Sequence, residues 1–135
     1  MSHFTTVQTR FVSAKHLARA LRELGFAAVE VHQTAQPLMG WLGDQRAARA
    51  HVIIRREHIG AASNDLGFVQ NATGTFDAVI SDYDRARFDR VWLDRLTQRY
   101  AYQVARDLLT AEGFEVNHDE QDAAGAIHLT LRRMR

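Results

Sequence analysis

Polar and apolar side chains alternate from His3 to Phe11, with Val7, Thr9 and Phe11 on one face, the period-two signature of a half-buried strand. Ser13 then offers a hydroxyl N-cap. Leu17, Ala20, Leu21 and Leu24 recur at spacings of three and four until Gly25, so the pattern predicts a helix over 13–24. Val29 and Val31 share a face between Phe26 and His32, which predicts a strand returning beside the first and a β-α-β start.

Between Thr34 and Ala48 the pattern breaks. Pro37, Gly40 and Gly43 punctuate Leu38, Met39, Trp41 and Leu42, and the expectation is an irregular apolar loop that folds back onto the body, a plug for an open sheet edge rather than a docking patch. Three short β-rich runs follow, 51–55, 66–69 and 76–80, separated by turn residues, and their spacing predicts an antiparallel meander.

From Arg85 to Glu112 the period changes to that of a helix. Phe88, Trp92, Leu96, Tyr100, Val104 and Leu108 succeed one another at i+4, and Gly113 ends the run; Asp84 is the expected N-cap, with Arg85/Asp89 and Arg90/Asp94 as i,i+4 pairs. Phe114-Glu115-Val116, a turn through Asp122-Ala123-Ala124-Gly125, and Ile127 to Arg132 predict a closing hairpin with Ile127, Leu129 and Leu131 inward. The order β-α-β-β-β-β-α-β-β predicts a single α+β domain over 1–135, a mainly antiparallel sheet of six to seven strands with two helices on one face.

Composition narrows the chemistry. The 135 residues suffice for one domain with its own core, and none is cysteine, which excludes disulfides, thiolate nucleophiles and Cys-type zinc sites. The net charge is +1, spread as +4 over residues 1–60 and −3 over residues 61–135, so no global field draws the chain to nucleic acid or to an anionic membrane. No stretch approaches eighteen apolar residues and the N-terminus does not read as a leader, so the expectation is a cytoplasmic protein.

Candidate sites are few. Seven histidines include no metal-ligand spacing; His51 with His58, and His118 with His128, could meet across turns, but neighbouring surface histidines are the commoner outcome, and no metal or cofactor is expected. Paired carboxylates stand at Asp82/Asp84 and from Asp119 to Asp122, where repulsion can raise a pKa, although capping and turn roles are the stronger explanation. No phosphate-cradling glycine motif occurs, and Ser13, Ser63 and Ser81 show no histidine partner for nucleophilic work. Arg99 and Tyr102 flank Tyr100 on the long helix; Tyr100 belongs to the core stripe, and Gln98, Arg99 and Tyr102 project beside it.

Six blocks now stand in order along the chain: Ser2-His3-Phe4, Leu24-Gly25-Phe26, Asp65-Leu66-Gly67-Phe68, Gln98-Arg99-Tyr100-Ala101-Tyr102, Gly113-Phe114, and Gly125 to Arg133. Together they resemble an uncharacterised domain-of-unknown-function family that includes a hypothetical reading frame of cyanobacteria and algal plastids. The resemblance implies a small soluble bacterial or organellar protein with ferredoxin-like proteins or AAA-type ATPases as neighbours. It also marks departures: Ser81 to Asp84 and Met134 stand where the family often has tryptophan, and Arg55 to Ser63 reads as an insertion.

These readings predict a non-enzymatic accessory module that binds a protein partner through Gln98, Arg99, Tyr102 and the Trp41 loop. The alternative is an acid–base enzyme built on Asp82, Asp84, Arg99 and Tyr102. RNA binding through Arg and Tyr comes last, given the balanced charge. Exposed strand edges leave a homodimer open as well.

Overall fold

The computed structural model describes residues 3–121, 123 and 126–133. Its elements are β1 (Phe4–Gln8), α1 (Ala14–Glu23), β2 (Glu30–Met39), β3 (Gln45–Ile54), β4 (Leu66–Gln70), β5 (Phe76–Ser81), α2 (Arg90–Ala111), β6 (Phe114–Gln121) and β7 (Ile127–Arg133), with one 3₁₀ turn at Arg56–His58. The chain is α+β in the expected element order. Five strands form the main antiparallel sheet in the order β1-β5-β4-β3-β2, and β6 and β7 pair separately. The expected turn at Asp122-Ala123-Ala124-Gly125 and the carboxylates from Asp119 to Asp122 lie outside what is described, except for Gln121 and Ala123.

β3 to β5 are the predicted meander; β2 extends it and does not return beside β1. It occupies the opposite edge, and β1 instead pairs with β5, from Phe4 opposite Ser81 to Gln8 opposite Asp77. The face decides this. Val7 stands opposite Ala78 and packs into the core that Ala78 and Ile80 enter, and Thr9 Oγ1 donates to the Phe76 carbonyl at 2.6 Å.

Both helices cover one face of this sheet. Leu17, Ala20 and Leu21 of α1 and Leu93, Leu96 and Tyr100 of α2 pack on Val52, Ile54, Phe68, Ala78 and Ile80, with Phe11 and Phe88 filling the ends. α2 begins five residues later than its pattern suggests. Asp89, not Asp84, caps it by accepting the Trp92 amide at 2.9 Å, and residues 82–87 form turns because the Asp84 carboxylate is bonded elsewhere. Neither expected i,i+4 pair is among the ion pairs of the described residues: Arg85 precedes the helix, and Arg90 and Asp94 stay apart.

The expected irregular loop is a pair of strands. β2 and β3 are ten residues each, and their pairing jumps from Val31–Val52 to Gln36–Ala50, a bulge that bends the hairpin. The bent half turns back over the sheet face opposite the helices, where Leu38, Ala50, Ile53 and Val79 form a second buried cluster. Alternation is lost at such a bulge, which is why the segment lacks a strand period. The segment does fold back, but onto the sheet face rather than an open edge: Leu38 is buried there, while Trp41 and Leu42 stay exposed.

Gly67 permits the crossing. A Cβ there would lie 2.5 Å from the Ala50 Cβ and 3.0 Å from Leu38 Cδ2, closer than side chains pack. Across the sheet end, the Arg46 guanidinium sits 6.0 Å from the Phe4 ring, so the hairpin reaches from β2 to β1.

Candidate functional site

The hairpin tip is held by a buried polar network. Asp65 Oδ2 accepts the Met39 amide at 2.7 Å and Arg55 Nη1 at 2.8 Å, while Oδ1 accepts the Arg56 amide at 2.7 Å. Asn64 Oδ1 accepts the Trp41 amide at 2.9 Å, and its Nδ2 donates to Ser81 Oγ at 3.0 Å. Asp84 Oδ2 then accepts the Asn64 amide and the Ser81 hydroxyl. Every buried side-chain nitrogen or oxygen among the described residues has a partner, so the network is complete and fixes the tip. Glu30 extends it outward: the hydrogen bond from Arg55, ahead of a weaker one from His32, holds its carboxyl below the ordinary range. On this rigid base Trp41 and Leu42 remain 47% and 72% exposed.

A second polar seam joins the helices on the other face. Arg99 Nε donates to Glu23 Oε2 at 2.5 Å, Gln103 donates to Glu23 Oε1, and the Arg99 guanidinium lies 4.4 Å from the Tyr102 ring centre. Two turns back along α1, His16 bridges Ser13 Oγ through Nδ1 at 2.6 Å and Asp107 Oδ2 through Nε2 at 2.7 Å, with Arg19 adding a bond to the same carboxylate. The His16 hydrogen bond, then the charges of Arg19, His16 and Lys15, keep the Asp107 carboxyl below its usual value. Ser13 therefore does have a histidine partner, contrary to the sequence reading. Its hydroxyl oxygen also accepts the His16 amide as the α1 cap, so the seam ties the helix end in place. Tyr100 completes the junction, its hydroxyl accepting the amides of Val12 at 2.9 Å and Ser13 at 3.0 Å.

A groove runs along the far side of α2. Three adjoining cavities of about 350, 360 and 370 Å³ share Arg90, Leu93, Phe11 and Thr97 between them. The groove passes from Arg85 and Phe88 at the start of α2, over Leu93 and Thr97, to Ala101, Val104 and Leu108.

The predicted residues do not converge. Trp41 stands on the hairpin side of the sheet, and Gln98, Arg99 and Tyr102 stand on the helix side. Asp82 is exposed with its amide bonded to the His3 carbonyl, Asp84 is buried in the tip network, and Arg99 lies two and a half turns into α2 against α1. His51 Nδ1 accepts the Gln70 amide; His118 stands opposite Thr130 in the β6–β7 register, and its side chain, with the expected meeting with His128, lies outside what is described. No cluster of three or more metal-type ligands occurs among the described residues, and no described helix is long and apolar enough to cross a membrane. The groove was missed in the sequence, because it depends on β1 joining β5. Its one signal was Leu108, an apolar residue at the trailing end of the stripe.

Comparison places the chain among known sequences. The protein of Cyanophora paradoxa named "Uncharacterized protein ycf35" is 29% identical over 136 residues, spanning 100% of this chain and 99% of its own length. The protein of the same name from Pyropia yezoensis is 26% identical over 136 residues, spanning 98% of each. No solved structure matches. The family described as "Protein of unknown function (DUF1257)" matches residues 20–130, and the chain belongs to it.

Proposed function

We propose that the chain is a non-enzymatic accessory module of the cytoplasm that binds a protein partner. The observation that carries this reading is the exposed Trp41-Leu42 pair on a hairpin tip held by a network of five side-chain hydrogen bonds. Large apolar side chains presented on a rigid support lose little conformational entropy on docking, and tryptophan is a common anchor of protein interfaces. Gln98, Arg99 and Tyr102 form a separate contact, pre-ordered by the Glu23 bonds, on the opposite side of the molecule.

The test is capture from nuclease-treated native lysate at low and moderate salt, with the wild type beside Trp41→Ser/Leu42→Ser and Arg99→Ala/Tyr102→Ala variants. A stoichiometric protein that returns with the wild type and is lost from the tip variant is the expected result. Absence of any stoichiometric protein at native concentration removes the reading. Retention by one variant removes that patch from the contact.

A further inference from the structure

We propose that β1 pairs antiparallel with the β1 of a second copy of this chain, across a two-fold axis at Thr6, so that two main sheets join into one. This goes beyond the partner-binding reading and uses a different surface from the Trp41 tip.

The hydrogen-bond parity of β1 fixes which groups it offers. The Asp82 amide donates to the His3 carbonyl at 2.8 Å, and these two residues continue the register that runs from Phe4 opposite Ser81 to Gln8 opposite Asp77. Bonded and non-bonded pairs alternate along an antiparallel ladder, so Thr5 and Val7 turn their amides and carbonyls toward β5. Phe4, Thr6 and Gln8 turn theirs outward. β1 is the last strand of the sheet on this side, and among the described residues no further strand takes up that row.

The two edges of the sheet are built differently. β2 carries Pro37 and a bulge between Val31 and Gln36, two devices that discourage pairing. β1 has neither: Phe4-Thr5-Thr6-Val7-Gln8 is uncharged, free of proline and in unbroken register with β5.

The sequence of β1 selects its own copy as the cover. With Thr6 on the axis, Phe4 faces Gln8 of the second copy and Thr6 faces Thr6. These are the outward residues, so every amide of the row meets a carbonyl of the other row. Thr5 then faces Val7, a β-branched pair, and no like charges oppose each other along the strand. Charge beside the edge is complementary as well. Arg90 and Asp94 of α2 line one cavity with Gln8 and Thr9, both are exposed, and neither enters an ion pair among the described residues. A two-fold axis lets such residues pair reciprocally, Arg90 of each copy with Asp94 of the other.

Sedimentation velocity of the full chain over about 1–100 μM tests this, together with amide hydrogen exchange. The expected result is a dimer in which the amides of Phe4, Thr6 and Gln8 are protected. Thr6→Pro deletes only an outward N–H, and Thr6→Lys sets two ammonium groups face to face; each should weaken the dimer at least about tenfold while far-UV circular dichroism stays that of the wild type. Arg90→Asp should weaken it too, and adding Asp94→Arg should restore it. The Trp41→Ser/Leu42→Ser variant should dimerise like the wild type, which separates this surface from the tip. A wild type that is monomeric at about 100 μM overturns the proposal. So does a dimer whose β1 amides exchange freely, or one that withstands Thr6→Lys. If Thr6→Pro does not fold, Thr6→Lys decides alone, Thr6 being exposed.

Discussion

Single atoms hold the junctions of this fold. The Tyr100 hydroxyl accepts two backbone amides where the chain passes from β1 into α1. Tyr100→Phe keeps the ring against Phe11 but leaves those donors unsatisfied, and should cost about 1–3 kcal/mol in urea unfolding. Gly67 acts through the absence of an atom. Gly67→Ala drives a methyl into Ala50 and Leu38 and should cost about 1–3 kcal/mol by the same measurement, more than the modest change expected for Gly to Ala in an open strand. The Asp65-Leu66-Gly67-Phe68 block can now be read residue by residue: Asp65 binds the hairpin, Leu66 and Phe68 enter the helix-side core, and Gly67 yields space on the other side.

Among elements, α2 separates what periodicity reveals from what it conceals. Strict i+4 spacing advances about 40° per step around an α-helix, so the stripe that begins under Phe88 and Trp92 has rotated by about 160° at Leu108. Leu96 is fully buried and Leu108 is mostly exposed. Leu96→Ala should therefore cost about 2–5 kcal/mol, while Leu108→Glu should leave the unfolding midpoint within about 0.5 kcal/mol of the wild type, both followed by urea denaturation. The sequence displayed the helix and most of its core face, the strands β3 to β5 and the closing hairpin. It concealed the β2–β3 hairpin because a bulge erases alternation, and it misplaced the α2 cap because Asp84 and Asp89 are equally good capping types. Only the tertiary bonds from Asn64 and Ser81 assign Asp84 elsewhere.

On the scale of the whole molecule, polar seams hold the helix pair and the hairpin, and both titrate. Glu30 and Asp107 have carboxyls held below their ordinary values by Arg55 and His16. The unfolded chain then binds protons more readily than the native one, so stability is fully present above the ordinary carboxylate range and is lost as pH falls through the lowered values. Urea midpoints should drop as pH falls through and below the ordinary carboxylate range, and Asp107→Asn with Glu30→Gln should flatten that drop. The candidate surfaces were less legible than the fold. Trp41 could be singled out from its loop, and Arg99 and Tyr102 from their flanking positions, but the groove is a product of β1 pairing with residues as far along the chain as Asp77 to Ser81.

That long-range pairing gives the chain a timetable. β2 to β5 close onto their sequence neighbours as they leave the ribosome, whereas β1, made first, has no strand to join until Ser81 has been added. At ordinary translation speeds of about 5–20 residues per second, β1 waits for several seconds as an uncharged segment before its partner strand is made. The same five residues later form the free border of the finished sheet. Release of that border coincides with completion of β5, well before α2 arrives to roof it.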